Sequence, residues 1–138
     1  MGIFDFLRKK SNNGSVDDLV DQWRRETAEL QAESKAWEKE FSSLMGDRAK
    51  ASKFEKEGQL FEAISEYEQC VEEGISSPRF RIYNYAHDID RLAILYRKTK
   101  QIDKEVSFLA RMITLHPDYT DKRKWKDRLE KANKLLNK

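Results

Sequence analysis

The sequence is poor in residues that interrupt helices and in residues that crosslink a chain. It contains five glycines, two prolines and a single cysteine, Cys70, among 138 residues. One cysteine allows no internal disulfide, so we expect a reducing compartment and a thiol buried in the core. No run of about 18 apolar residues is present, which argues against a membrane-spanning helix. With 38% charged residues, this composition favours long solvated helices over a sheet or a disordered chain.

The sequence also lacks the motifs that carry catalysis. It has no glycine-rich phosphate loop, no His-Glu-x-x-His, no cysteine pair and no serine in a nucleophile elbow. Its two histidines are His87, within His87-Asp88-x-Asp90, and His116, before Pro117. Adjacent acids do not give the ligand spacing of a metal site, so His87 is predicted to be a surface residue and His116 a helix-end residue. We therefore expect neither an enzyme nor a bound metal or cofactor.

Residues 49–74 give the clearest indication of a fold. Small residues, aromatic residues and one glycine alternate there in a fixed order: Ala51, Phe54, Gly58, Ala63 and Tyr67. A small residue allows two helix backbones to approach closely, and an aromatic side chain fills the space beside it. A glycine ends a helix by taking the left-handed conformation. The segment therefore predicts two packed antiparallel helices.

A second, less regular copy follows. It has an apolar, apolar, small, aromatic order, and a proline closes the unit: Ile89, Leu92, Ala93, Tyr96 and Pro117. The first copy shares only the small and aromatic residues of this order, because Asp47 and Lys50 stand where the apolar pair should be. Three further positions differ from the first copy, since Lys100 replaces the turn glycine, Glu105 the small residue and Leu109 the aromatic one. Phe54 and Tyr96 are 42 residues apart. Both copies resemble the helix–turn–helix unit of the tetratricopeptide repeat, whose period is about 34 residues.

This resemblance implies a binding groove. In tetratricopeptide proteins the first helix of each unit lines a concave face that holds an extended peptide or a partner's helix. The resemblance, aligned on Ala51, Ala93 and the last helix, implies that two acids, Glu55 and Asp90, lie on this face. It also implies a mostly basic set there: Arg48, Ser52, His87, Ile94, Arg97, Lys124 and Arg128. The basic excess implies an acidic partner segment or a C-terminal carboxylate. A charged, solvated face without a ligand is the alternative.

Helix signals predict six helices, over residues 15–44, 47–57, 60–73, 78–99, 102–115 and 120–136. Ser15 is expected to cap the first, Gly46 to follow its end, and Ser77-Pro78 to start the fourth. The second copy exceeds the family period by about eight residues, which are expected to lengthen the fourth helix by about two turns. The last helix is expected to begin near Thr120 and to bury Trp125, Leu129, Ala132 and Leu136.

The first predicted helix carries a continuous stripe in which steps of four and three residues alternate: Val16, Val20, Trp23, Thr27, Leu30, Ser34, Trp37, Phe41 and Leu44. Trp23, Leu30 and Trp37 share one seam, whereas Thr27 and Ser34 weaken it as a self-sufficient coiled coil. Two interpretations remain open. Either the seam covers the first repeat unit, or it is the interface of a homodimer.

Residues 1–14 are predicted to be a separate flexible segment. Their apolar residues, Ile3, Phe4, Phe6 and Leu7, precede three cations and a linker rich in helix breakers. One interpretation is an amphipathic foot that makes weak peripheral contact with an anionic membrane. The other is a terminus that docks on its own body or frays. Many bacterial cytosolic proteins begin in a similar way, so a bacterial source is expected. The reducing compartment expected from the single cysteine corresponds to a cytoplasmic location.

The net charge of +2 conceals an asymmetry, because residues 15–74 carry −8 and residues 75–138 carry +8. Either the two halves form complementary faces of one body, or a basic surface awaits an acidic ligand. One segment alternates cations with aromatic rings, which could neutralise the phosphates of RNA and stack on its bases: Arg79, Phe80, Arg81, Tyr83 and Tyr85. The pI near 8.6 is below the value above about 9 that marks nucleic-acid domains, so nucleic acid is the least favoured partner.

The sequence thus predicts an all-α protein with one domain over residues 15–138. Two tetratricopeptide-like hairpins lie between a long N-terminal helix and a basic C-terminal helix that solvates the array. The expected function is that of a non-enzymatic adaptor that binds an acidic peptide or a partner helix. Self-association through the N-terminal helix and RNA binding are the alternatives.

Overall fold

A computed structural model describes residues 16–119 and 124–138, and the regular structure in those ranges is entirely helical. It contains α1 Val16–Lys56, α2 Leu60–Ser76, α3 Ile82–Lys98, α4 Ile102–Leu115 and α5 Trp125–Leu136. The all-α class is confirmed. The predicted segment 1–14, the cap at Ser15 and the helix start at Thr120 lie outside the described residues.

The chain divides into two compact units, residues 1–41 and 42–138. The described part of the first unit is the stretch of α1 from residue 16 to residue 41. The second unit contains the end of α1 together with α2, α3, α4 and α5.

The prediction that a helix ends before Gly46 is wrong, because α1 continues through this residue for 41 residues in all. A glycine inside a helix costs about 1 kcal/mol relative to alanine, but it does not by itself reverse the chain. Acidic residues in the first turn, Asp17 and Asp18, and basic residues in the last turn, Lys53 and Lys56, suit the helix dipole. The predicted helices 15–44 and 47–57 are therefore one helix, which reduces six to the five described.

The chain turns after α1 at Gly58, as predicted. Gly58 has a φ of +78°, and its amide donates to the carbonyl of Glu55 at 3.1 Å. The next amide, that of Gln59, donates to the carbonyl of Phe54 at 2.9 Å. These two bonds form a Schellman motif, which satisfies carbonyls at the helix end and starts the antiparallel return.

The same turn recurs after α3, 42 residues later, with lysine in place of glycine. Lys100 has a φ of +62°, and its amide donates to the carbonyl of Arg97 at 3.0 Å. The amide of Gln101 donates to the carbonyl of Tyr96 at 2.8 Å. The backbone of the second hairpin thus repeats the first, although its sequence lacks the residue that favours the turn.

The connection between the hairpins differs from the prediction. α2 runs three residues further than expected and α3 begins four residues later, so Ser77 and Pro78 do not start a helix. The start of α3 is stabilised instead by Asn84, whose Oδ1 accepts a hydrogen bond from the amide of Arg81 at 2.8 Å. The residues by which the second copy exceeds the family period therefore lengthen α2 and the connection that follows it. They do not lengthen α3, which is shorter than predicted.

Gly74 permits close packing of α2 on α3. A Cβ at this position would lie 2.5 Å from Cγ of Tyr85, whose side chain is buried. Alanine would therefore overlap the ring. Gly74 is a contact residue inside α2, whereas the sequence suggested that it follows the helix end.

The core of the second unit includes the small residues that define both copies, since Ala51, Ala63 and Ala93 are fully buried. In α5, Trp125 and Ala132 are buried as predicted, whereas Leu129 is half-buried and Leu136 is exposed. The prediction for Leu136 is therefore wrong, because the last turn of α5 is not covered by described residues.

Replacing Lys100 with glycine should stabilise the protein. A side chain in the left-handed conformation costs about 1 kcal/mol, so Lys100→Gly should raise the free energy of unfolding by about 0.5–1 kcal/mol in urea denaturation. The matched change Gly58→Ala should lower it by about 1 kcal/mol, since a Cβ at Gly58 meets no atom and only the backbone conformation opposes it. A loss of stability in Lys100→Gly would contradict the left-handed turn after α3.

Candidate interaction surfaces

Arg48, assigned to the predicted groove, is bound within the second unit. Its Nε donates to Oδ1 of Asp88 at 2.8 Å, and its Nη2 donates to Oδ2 at 2.6 Å. Nη2 also donates to the carbonyl of Asn84 at 2.7 Å. Asp88 is fully buried, and its hydrogen bonds raise the pKa of Arg48. This bidentate pair fastens the end of α1 to α3.

A second pair joins the same two helices nearby. Arg91 of α3 forms a bidentate salt bridge with Glu55 of α1, in which Nε donates to Oε1 at 3.2 Å. Tyr67 of α2 donates its hydroxyl proton to the same oxygen at 3.3 Å. Burial, followed by the charge of Glu55, raises the pKa of Tyr67 to about 12, so this hydroxyl remains a donor at neutral pH. Glu55 therefore links three helices.

Glu105 is the centre of a third cluster. Arg97 donates from Nε to Oε1 of Glu105 at 2.9 Å and from Nη2 to the carbonyl of Arg128 at 3.1 Å. Nη1 of Arg128 lies 3.7 Å from Oε2 of Glu105, which is fully buried. In the first hairpin the corresponding residue is Ala63. The second hairpin thus has a carboxylate where the first has a methyl group, and the two arginines connect α3, α4 and α5.

The predicted groove residues lie on α1, on α3 and at or within the start of α5. Most of their charged side chains are paired with other groups of the second unit. Arg48, Arg97 and Arg128 all bind carboxylates of the protein itself. Asp90 of the same face accepts a hydrogen bond from Nε1 of Trp125 at 2.8 Å. The other predicted residues are His87 and Lys124, which are exposed, and Ser52 and Ile94, which are half-buried. The arginines therefore act mainly in stability.

Sequence reasoning missed Asp88 and Glu105 as the partners of these arginines. Asp88 comes three residues after Tyr85 and four before Leu92, and Glu105 comes four before Leu109. Each acid thus occupies the buried phase of its helix. Acidic side chains are rarely buried unless they are paired. An acid at a core-facing position of a helix was therefore the signal in the sequence for a buried basic partner.

The segment considered for RNA does not present its aromatic rings for stacking. Phe80 and Tyr85 are buried, and Tyr83 alone of the three is exposed. The hydroxyl of Tyr85 lies 3.2 Å from Nε2 of His116, and burial lowers the pKa of this histidine. A single exposed ring is a poor platform for single-stranded nucleic acid.

The acids beside His87 have structural partners. Asp88 binds Arg48, and Asp90 accepts from Trp125. Within residues 16–119 and 124–138, no group of three or more histidine, cysteine, aspartate or glutamate side chains is placed to hold a metal ion.

A shallow groove of about 280 Å³ is lined by Tyr96, Asp103, Lys104, Ser107, Phe108 and Arg111. Tyr96 and Phe108 meet edge to face at 5.8 Å, and burial raises the pKa of Tyr96. Arg111 forms a bidentate salt bridge with Glu72 of α2, which lowers the pKa of Glu72. The charged residues that line the groove are exposed, so none is held as a buried group that would orient a ligand.

The first unit presents an apolar stripe, here called the α1 stripe. Its large members recur every seven residues, and their exposed fractions are 68% for Val16, 49% for Trp23, 73% for Leu30 and 39% for Trp37. Trp37 stacks on Phe41 with ring centroids 4.8 Å apart and an interplanar angle of 9°. The hydroxyl of Thr27 donates to the carbonyl of Trp23 at 2.8 Å, so this polar seam residue is satisfied within the helix.

Cys70 is fully buried in α2, as predicted. Burial raises the pKa of its thiol to about 12, so the thiol is protonated at neutral pH. Cys70 is therefore a packing residue.

None of the described helices combines the length and the apolar character needed to cross a bilayer. The residues predicted to touch a membrane surface, Ile3, Phe4, Phe6 and Leu7, lie outside the described residues.

No protein-family model, curated protein or solved structure matches the chain. The resemblance to the tetratricopeptide repeat therefore depends on the residues of the two copies.

Removing Arg48 should destabilise the protein strongly. Arg48→Met leaves Asp88 buried without its charge partner, which should lower the free energy of unfolding by about 3–5 kcal/mol in urea denaturation. The double variant Arg48→Met/Asp88→Leu should recover most of that loss, because no charge then remains buried. Lys50→Met is the control, since the Lys50–Glu66 pair is more exposed and should matter by less than about 1 kcal/mol. An Arg48→Met protein as stable as the control would refute the buried pair.

Proposed function

We propose that the protein is a non-enzymatic interaction adaptor whose partner docks on the α1 stripe. The observation that carries this proposal is the exposure of four large apolar side chains at seven-residue intervals on one helix. Taking roughly 150–250 Å² for a large side chain, the stripe exposes on the order of 400 Å² of apolar surface. Contiguous apolar patches of this size on soluble proteins often mark interaction sites.

The spacing of the stripe favours a helix as the docking partner. Side chains seven residues apart on a helix lie on one face, and a second helix that crosses at a small angle inserts its own side chains between them. Residues 16–41 span about 39 Å at 1.5 Å per residue, which is long enough for several such layers. The partner element is therefore an amphipathic helix of similar length, bound by its apolar face.

The hairpins are the scaffold in this proposal, and we interpret them as tetratricopeptide-like units. The repeated Schellman turns after α1 and α3, and the buried Ala51 and Ala93 before them, support this interpretation. The face formed by α1, α3 and the start of α5 is a weaker candidate for capturing an acidic segment. With its three arginines paired internally, it offers such a segment mainly Lys124 and His87.

Self-association through the α1 stripe is the second candidate function. The seven-residue spacing that suits a partner helix also suits a second copy of α1. Trp37 at one end of the stripe is stacked on Phe41 and remains 39% exposed, so it offers aromatic surface to either occupant.

Disrupting the stripe should abolish partner capture without unfolding the protein. In crosslinking pulldowns from the native cell, Trp23→Glu/Leu30→Glu should lose the partners that the unaltered protein retains, because charges then occupy the centre of the apolar surface. The control Phe61→Glu/Tyr83→Glu changes two side chains that are 65% and 67% exposed outside the stripe and should keep those partners. If the stripe variant captures the same proteins as the control, the proposed docking surface is wrong.

A further inference from the structure

We infer that the partner of the α1 stripe is a basic amphipathic helix, with lysine or arginine along both edges of its apolar face. This inference rests on the proposed function and specifies the chemistry of the partner. It follows from the distribution of charge around α1.

The residues that flank the stripe are mostly acidic. The first flank consists of the residues that directly follow Val16, Trp23, Leu30 and Trp37. The second flank consists of the residues that directly precede Val20, Thr27, Ser34 and Phe41. Their charged members are Asp17, Arg24 and Glu38 on the first flank and Glu26, Glu33 and Glu40 on the second. Five acids and one base thus border the apolar surface.

The outer face of the same stretch is balanced. Its charged residues are three acids, Asp18, Asp21 and Glu29, and three bases, Arg25, Lys35 and Lys39. The net charge of −4 over residues 16–41 therefore resides entirely on the flanks. A partner helix places its own flanking residues opposite these positions, where unlike charges attract and like charges repel.

This distribution disfavours a second copy of α1 as the occupant. In an antiparallel pair each flank faces its own counterpart, so the flank with Glu26, Glu33 and Glu40 would meet three glutamates of the other copy. In a parallel pair the two different flanks meet, and Glu33 would face Glu38. Both arrangements place like charges beside a desolvated apolar seam. Anionic lipid is disfavoured for the same reason.

Two synthetic helical peptides test the inference. Both match residues 16–41 in length and share an apolar face, but one has lysine and the other glutamate at its flanking positions. Binding to the full chain is followed by the fluorescence of Trp23 and Trp37, since Trp125 is buried and gives a constant background. At low salt the lysine peptide should bind roughly ten- to hundredfold more tightly than the glutamate peptide, and salt should reduce that ratio.

A matched pair of variants separates the flank from the overall charge. Glu26→Lys/Glu33→Lys takes the net charge of the two flanks from −4 to zero and should abolish the preference between the peptides. Asp21→Lys/Glu29→Lys changes the net charge by the same amount on the outer face and should preserve it. Circular dichroism verifies that α1 remains helical in both variants.

The other outcomes overturn the inference in distinguishable ways. Equal affinity for the two peptides would keep the stripe as a docking surface but reject its charge selection. Binding of neither peptide, together with sedimentation that shows self-association lost in Trp23→Glu/Leu30→Glu, would identify a second copy as the occupant. Binding of neither peptide by a monomeric protein would reject the proposed function as well.

Discussion

Two fully buried carboxylates, those of Asp88 and Glu105, constrain how the helices of the second unit pack. A carboxylate removed from water costs several kcal/mol unless a cation and hydrogen bonds compensate it. Arg48 reaches Asp88 from α1, and Arg97 and Arg128 reach Glu105 from α3 and α5. Because an unpaired carboxylate would be so costly, these contacts favour a single arrangement of the helices around them.

The same constraint determines which charges are available for recognition. The ion pairs Glu55–Arg91 and Glu72–Arg111 connect the acidic half of the chain to the basic half, so part of the −8 and +8 asymmetry forms complementary faces within the second unit. The flanks of the α1 stripe in the first unit have a different charge balance, with acids bordering an exposed apolar surface. This contrast leads us to assign stability to the arginine clusters and partner binding to the stripe.

Local signals in the sequence predicted the helical class and the turn at Gly58, because helix propensity and left-handed glycine depend on neighbouring residues. They failed at Gly46, where a helix tolerates one glycine, and at Ser77-Pro78, where Asn84 stabilises a later start. The arginine partners could not be read from local patterns. Arg48 and Asp88 are 40 residues apart, and only the packing of α1 on α3 brings them together.

Amide hydrogen exchange with and without the lysine-flanked peptide locates the bound surface along the chain. If a basic helix docks on the α1 stripe, added protection should be confined to residues 16–41, while the amides of the hairpins remain unchanged. Protection concentrated around Ser52, His87 and Ile94, with none in residues 16–41, would contradict it and would place recognition on the face formed by α1, α3 and the start of α5.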